Sequence, residues 1–224
     1  TYMSEVALKG RRGFYASFQY VTLSGGQLLA SLLGVILLAF LSTEQLENGG
    51  WRIPFFIGGL AALVSLWVRR TIEETTTEEQ REAKESGSLI VLFRDYWKEF
   101  FLVVGYTAGG SLAFYTITVF SRNYLVGLGV DGKTVGYIMT FGLFVFMIAQ
   151  PVFGLISDFI GRRASMLLFG GVTAVIIYPI MVLGMESFKD SAIALTFLLI
   201  LMLFALSFYT SIGGLVKAEM FPTE

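Results

Sequence analysis

The sequence predicts an all-α membrane protein, in which several helices cross the bilayer as a bundle. Hydrophobic residues make up 55% of the chain and charged residues only 15%, whereas a soluble domain carries about 25% charged residues because its surface must remain hydrated. The apolar residues are also concentrated in six long stretches that contain no Asp, Glu, Lys or Arg. Buried helices of a large soluble protein are therefore disfavoured, because six such helices would leave almost no polar surface.

Each of the six stretches is predicted to be one membrane-spanning helix. A helix needs about 20 mostly apolar residues to cross the ~30 Å hydrocarbon layer of a bilayer. The predicted spans are 14–41, 53–68, 100–120, 135–156, 164–185 and 192–216. The second span is short, but Trp51 and Trp67 bracket it in the way that interfacial aromatic residues bracket a membrane helix.

The distribution of basic residues predicts the orientation of these spans. The chain contains 16 Lys and Arg residues, and the loops on one side hold only Arg52, Arg122, Lys133 and Lys189. Cytoplasmic loops of membrane proteins are enriched in Lys and Arg. The other side, which includes both ends of the chain, is therefore predicted to be cytoplasmic. The predicted location is the inner (cytoplasmic) membrane, crossed several times.

A long polar and charged segment at residues 71–88 divides the chain. The predicted organisation is the end of an N-terminal half (1–70), a cytoplasmic inter-half loop (71–99) and a C-terminal half (100–224). A weak repeat supports this division, because SEVA at 4–7 and AEMFP at 218–222 are separated by six spans. A six-span repeat is typical of transporters with two similar six-helix halves. The visible spans are thus predicted to be helices five to ten of twelve in a longer polypeptide.

The most specific motif is GLISDFIGRR at residues 154–163, in a short loop between the fourth and fifth predicted spans. Gly161 permits a tight turn, and Asp158 is placed where it can face a helix N-terminus or an arginine. Two arginines would then hold the loop at the headgroup boundary. An ordinary turn with positive-inside charges is the alternative interpretation.

This motif resembles the G-x-x-x-D-x-x-G-R-[RK] loop of the major facilitator superfamily. Within that superfamily, the stretches FYASFQYVTL, GGQLLA, GGWRIPFFIGG, SFYTSI and KAEMFP are similar to the metabolite–proton symporter group, and to its α-ketoglutarate permease branch. The resemblance implies a bundle of twelve helices in two six-helix halves. It also implies secondary active transport, namely proton-coupled symport of a small organic acid such as 2-oxoglutarate by alternating access. Other members carry citrate, shikimate, proline or betaine.

The resemblance further implies that the motif residues form cytoplasmic contacts that break as the two halves rock. The predicted gating residues are Gly154, Asp158, Gly161, Arg162 and Arg163, together with Glu5, Arg11, Arg12 and Glu219 at the helix exits.

Polar side chains within the apolar spans are the candidates for substrate binding, since such side chains are costly in a membrane unless they face a cavity. They are Gln19, Tyr20, Gln27, Tyr115, Gln150 and Tyr209. For each of them, a helix–helix hydrogen bond is the alternative. Arg52 and Arg122, at span ends, are the candidate ligands of an anion, because the arginine fork binds carboxylates. Either could instead extend to the interface. The resemblance favours Arg52.

The proton carrier is expected in the other helices of the longer polypeptide or at a span boundary, because the predicted spans contain no carboxylate and the chain contains no histidine. Asp158 and Glu219 are the boundary candidates. No cofactor or metal site is predicted. The expected partners are a small organic anion, a proton and the lipid bilayer, and the net charge of -1 argues against nucleic acid. A non-transporting nutrient sensor on the same fold is the alternative function. A membrane enzyme is disfavoured, because the sequence shows no nucleophile–base pair.

Overall fold

The computed structural model describes residues 10–69 and 93–220, apart from the side chain of Thr43. Within these ranges, six helices are long and apolar enough to cross a membrane: α1 (Arg12–Phe40), α2 (Gly50–Arg69), α3 (Trp97–Gly127), α4 (Gly132–Ile160), α5 (Arg162–Ser187) and α6 (Ala192–Glu219). No strand occurs in the described part of the chain. The predicted all-α membrane fold is confirmed.

The helices extend beyond the predicted spans because they continue past the apolar residues into charged ones. Helix α3 begins at Trp97, so its first turn includes Glu99, and it passes through Arg122. It therefore begins inside the region predicted as the inter-half loop. The rest of that loop, residues 70–92, lies outside the described residues, as do residues 1–9 and 221–224.

Two helices contain a π-helical turn, which places one more residue in the turn than an α-helix does. In α3 it spans Thr116–Phe120, and the amide of Ser121 donates to the carbonyl of Thr116. The Ser121 hydroxyl donates to the same carbonyl at 3.1 Å. In α5 the π-helical turn spans Ile180–Gly184, directly after Pro179.

Helix α4 lies at the centre of the bundle, with α1 along one side and α6 along another. On the α6 side, Phe146 of α4 and Leu199, Leu203 and Leu206 of α6 are almost completely buried. The two helices approach closely at Gly142, where a Cβ atom would lie 2.7 Å from Cδ2 of Leu199. Large apolar side chains from α3, α4, α5 and α6 form one continuous core here.

Helices α1 and α2 contribute little to this core. Helix α2 has no buried residue, and Phe55 and Phe56 on it are 72% and 73% exposed. The buried residues of α1 are small: Gly13, Ser17 and Ser24. The compact unit is therefore α3–α6, and α1 attaches to it along α4.

Candidate functional site

A carboxylate of α4 contacts the first turn of α1. The backbone amide of Gly13 donates to Oδ1 of Asp158 at 2.8 Å, and the amide of Phe14 donates to Oδ2 at 3.0 Å. Because α1 begins at Arg12, no carbonyl within the helix can accept from these amides. The partial positive charge of a helix N-terminus also favours a nearby carboxylate. Asp158 thus binds α1 through both hydrogen bonds and charge.

Two glycines bring the backbones of α1 and α4 into contact beside this carboxylate. A Cβ atom on Gly13 would lie 2.6 Å from the carbonyl oxygen of Gly154, and one on Gly154 would lie 2.6 Å from the carbonyl oxygen of Gly13. Both distances are far below van der Waals contact. Any side chain at either position would therefore push the two helices apart.

Arg162 connects the same carboxylate to α6. Its Nη1 donates to Oδ1 of Asp158 at 3.2 Å, and its Nε lies 3.6 Å from Oε2 of Glu219. Gly161, with a φ of 89°, makes the turn that places Arg162 here. The three charged residues thus join α1, α4 and α6. We name this end of the bundle the Asp158 end and the opposite one the Arg122 end.

The other predicted gating residues do not take part in these contacts. Arg11, Arg12 and Arg163 are exposed and form no ion pair within the described residues. Glu5 lies outside the described residues.

Two neighbouring clefts lie between α1 and α3. The larger has a volume of ≈ 570 Å³, and its polar lining residues are Gln27, Ser31, Thr118, Arg122 and Asn123. The smaller has a volume of ≈ 330 Å³, and its polar lining residues are Tyr20, Gln27, Ser111 and Tyr115. Gln27 lines both clefts, so one face of α1 connects them.

The larger cleft has the donors that an organic anion requires. The guanidinium of Arg122 offers a planar set of N–H groups, and the amides of Asn123 and Gln27 offer two more donors each. Ser31 and Thr140 are 2.8 Å apart and bond to each other across α1 and α4. None of the described residues that line this cleft is acidic. The cleft is therefore suited to a carboxylate.

Four of the predicted substrate-binding residues, Tyr20, Gln27, Tyr115 and Arg122, lie at these clefts. Gln150 does not. Its Nε2 donates to the carbonyl of Phe146 at 3.1 Å and to the hydroxyl of Ser207 at 3.2 Å, and its Oε1 accepts from Thr210 at 2.8 Å. Gln150 is thus fully buried and hydrogen-bonded in the α4–α6 interface.

The remaining three candidates also lie away from the clefts. Tyr209 is buried, with its ring 4.9 Å from that of Tyr106 and 5.0 Å from that of Phe169. Gln19 is exposed, and its side chain lies against Gly214 of α6. Arg52 is exposed at the start of α2, where its guanidinium carbon lies 5.1 Å from the ring centroid of Trp51.

Three residues at these sites, Ser31, Asn123 and Gly13, were not among the predicted site residues. Ser31 follows Gln27 by four residues and so shares its helix face, and Asn123 directly follows Arg122. These two spacings could have predicted Ser31 and Asn123 from the sequence. No spacing predicts Gly13, because its close contact with Gly154 depends on how α1 packs against α4.

Comparison with known proteins establishes the family. The model of the Major Facilitator Superfamily matches residues 1–224. The chain belongs to the major facilitator superfamily. The family predicted from residues 154–163 is confirmed, and the six apolar helices are those of a multi-pass membrane protein.

Two members of the superfamily show which of its proteins this chain resembles. The chain is 50% identical over 225 residues to the alpha-ketoglutarate permease of Escherichia coli (strain K12), covering 100% of this chain and 51% of the relative. It is 29% identical over 185 residues to the citrate-proton symporter of Salmonella typhi, covering 80% of this chain and 42% of the relative. The chain therefore spans about half the length of the curated relatives it matches. No solved structure matches it significantly.

Proposed function

We propose that the protein is a secondary active transporter that carries a small organic acid such as 2-oxoglutarate, together with protons, across the cytoplasmic membrane. The observation that carries this proposal is the 50% identity to the alpha-ketoglutarate permease, which runs along the whole chain rather than through a single motif. The relative named as a citrate-proton symporter supports an organic acid as substrate and a proton as coupling ion.

The cleft at Arg122 is the proposed substrate site of this chain. One carboxylate of the substrate binds the guanidinium, since charge-assisted hydrogen bonds are about twice as strong as neutral ones. The amides of Gln27 and Asn123 donate to the same anion, and the hydroxyls of Tyr20 and Tyr115 contact the part of the substrate in the smaller cleft. Arg52 lies at the same end of the bundle, where its charge attracts the incoming anion.

The contacts at the Asp158 end are the proposed gate. By the predicted division into halves, α1 belongs to the N-terminal half, and α4 and α6 belong to the C-terminal half. The bonds of Asp158 to Gly13 and Phe14 would then join the two halves and close this end. Rocking of the halves in alternating access breaks them. The exposed Arg11, Arg12 and Arg163 support a cytoplasmic location of the Asp158 end, by the positive-inside rule.

The test is uptake of labelled 2-oxoglutarate by proteoliposomes that contain the full-length protein, with and without an inward proton gradient. Accumulation that requires the gradient and that unlabelled 2-oxoglutarate competes with is the expected result. Citrate, shikimate and betaine serve as competitors and show which substrate class the site prefers.

Uptake without any dependence on the gradient would contradict proton symport but not transport. No uptake of any of these compounds, in liposomes where protease protection shows correct insertion, would contradict the transporter function and favour a nutrient sensor.

A further inference from the structure

Lys217 points into the bundle rather than toward the nearer end of its helix. It lies just before Glu219, the last residue of α6, yet its Nζ is 5.8 Å from the ring centroid of Tyr209 and 5.9 Å from that of Tyr106. Tyr209 precedes it by about two helical turns on the same helix. A lysine near the end of a membrane helix ordinarily extends to the lipid headgroups. The opposite direction of this side chain therefore indicates a specific role.

Two glycines leave space for this arrangement. The ring of Tyr209 lies beside Gly213, where a Cβ atom would be 3.7 Å from its Cζ. The side chain of Gln19, from α1, lies against Gly214. Lys217 is thus located where α1 meets α3 and α6, at the Asp158 end of the seam between α1 and the α3–α6 core.

No carboxylate neutralises this ammonium group within the described residues. The nearest acidic residue along the helix, Glu219, lies 3.6 Å from Nε of Arg162 instead. The faces of two tyrosine rings stabilise a cation but leave its charge in place. A charged side chain inside a membrane helix is costly, and such residues commonly mark a substrate or ion pathway.

One face of α1 connects Lys217 with the proposed substrate site. Gln19 reaches α6 at Gly214, three residues before Lys217. Tyr20 and Gln27 line the smaller cleft, and Gln27 continues into the larger cleft with Arg122. Gln19 and Gln27 are about 12 Å apart along the helix axis, at 1.5 Å per residue. A small organic acid bound at the Arg122 level would therefore not reach Lys217 at the same time.

We propose that Lys217 is a second carboxylate-binding site, at the Asp158 end of the pathway, which holds the organic acid after it has left the cleft at Arg122. The amide of Gln19, which lies against Gly214 on the preceding turn of α6, is the proposed uncharged donor. This proposal rests on the proposed function. It adds that the substrate carboxylate binds Arg122 from one side of the membrane and Lys217 from the other. Loss of Lys217 then weakens binding from one side only.

The test compares Lys217→Gln, Lys217→Arg and Lys98→Gln in the full-length protein. Lys98 is the matched control, because its Nζ lies 5.8 Å from the ring centroid of Trp97 but on an exposed part of α3. The KM for 2-oxoglutarate is measured from each side, in right-side-out and inside-out vesicles.

For Lys217→Gln the expected KM from the Asp158 side is about tenfold higher or more, as for loss of a hydrogen bond to a charged group. The KM from the Arg122 side stays within about twofold of wild type, as does each KM of Lys98→Gln. Lys217→Arg, which keeps the charge, restores most of the affinity. A KM that is unchanged on both sides, or raised equally on both, overturns the proposal.

Labelling of wild-type protein provides a test that requires neither transport nor a folded variant. An amine-reactive reagent is applied with and without 2-oxoglutarate, succinate or citrate, and modification of Lys217 and Lys98 is quantified by mass spectrometry. Protection of Lys217 but not of Lys98 supports the site even if uptake of 2-oxoglutarate is absent. Equal modification of Lys217 with and without every one of these acids overturns it.

Discussion

The two interfaces of α4 differ in what they bury. Toward α6, α4 buries Phe146 among leucines, together with Gln150, whose polar atoms bond to Ser207 and Thr210. Toward α1, the buried residues are glycine and serine, and the side-chain bonds across the interface come from Asp158 and from the Ser31–Thr140 pair. One helix thus carries both an interlocked interface and a smooth one.

This difference indicates which interface can separate. Interdigitated side chains such as Leu199 and Leu203 must all reorganise before their helices part, whereas a contact between glycine backbones has no such obstacle. Small residues also permit the close helix packing that replaces a hydrophobic driving force within a membrane. The α4–α6 interface is therefore suited to remain closed and the α1–α4 interface to separate, as the proposed rocking of two halves requires.

The largest expected effect comes from Gly13→Ala, which should block closure of the smooth interface. Its methyl group would overlap the carbonyl of Gly154. Overpacking that costs about 1–3 kcal/mol should lower uptake by the full-length protein about 5- to 150-fold. Gly26→Ala on the same helix is the control, because no atom outside the adjacent backbone of α1 lies within 4 Å of its Cβ position. Equal uptake by the two variants would show that α1 and α4 need no such contact.

A second prediction separates the cleft from the interlocked interface. Arg122→Gln should raise the KM for 2-oxoglutarate about tenfold or more, because a charged donor is lost, while the unfolding temperature in detergent stays at the wild-type value. The matched change is Lys133→Gln, on the same end of the bundle but outside the larger cleft. An equal rise of the KM in Lys133→Gln would mean that positive charge at this end of the bundle attracts the substrate, without a direct contact with Arg122.

Asp158→Asn should weaken the closure of the Asp158 end without abolishing it. A charge at a helix N-terminus is worth about 0.3–1 kcal/mol at exposed sites and up to ∼2 kcal/mol when partly buried, so the open population should rise about fivefold. Reactivity of a cysteine introduced by Ser17→Cys, which is buried beside Gly154, measures this opening.

The control for this prediction is Asp131→Asn. Asp131 also accepts from two backbone amides, of Lys133 and Thr134, but within its own helix cap. The Asp131→Asn variant should leave the reactivity of the cysteine in Ser17→Cys unchanged. If both variants increase it to the same degree, the contact between α1 and α4 is not the cause.

The smallest effect on transport is expected within the interlocked interface. Gln150→Ala removes the side-chain bonds to Ser207 and Thr210, which keep only the carbonyls of their own helix as partners. Two lost bonds of about 0.5–1.5 kcal/mol each should lower the free energy of unfolding by about 1–3 kcal/mol. Uptake per folded molecule should remain within about twofold of wild type. Gln27→Ala, in the clefts, should instead raise the KM for 2-oxoglutarate and leave the unfolding temperature unchanged. An uptake defect in folded Gln150→Ala would place this residue on the pathway.

The six helices were predictable because the cost of charge in a membrane leaves a plain signal in the sequence. The ends of the helices were harder to predict, because a helix can continue beyond its apolar residues. Helix α3, for example, begins at Trp97 and continues past Arg122, outside the predicted span 100–120. The tight turn at Gly161 follows from the motif itself. Which helix begins opposite Asp158 depends on the packing of distant segments, and no local pattern encodes it.

Gln27 and Gln150 show the same limit for the candidate site. Both are glutamines within apolar spans, and the sequence alone gives them equal standing. The structure separates them because Gln150 faces Ser207 and Thr210 on α6, whereas Gln27 faces the clefts. Helix rotation decides between the two outcomes, and it is set by packing between segments that are far apart in sequence.

The π-helical turn Thr116–Phe120 sets the angular phase of everything that follows it in α3. One residue corresponds to about 100° of rotation around a helix axis. Restoring α-helical geometry here without removing a residue would turn Arg122 and Asn123 by about 100° around the helix axis, away from their present direction. The direction in which the guanidinium points therefore depends on this one additional residue, and a family member with one residue fewer and an ordinary α-helical turn here would keep its cation in the same direction.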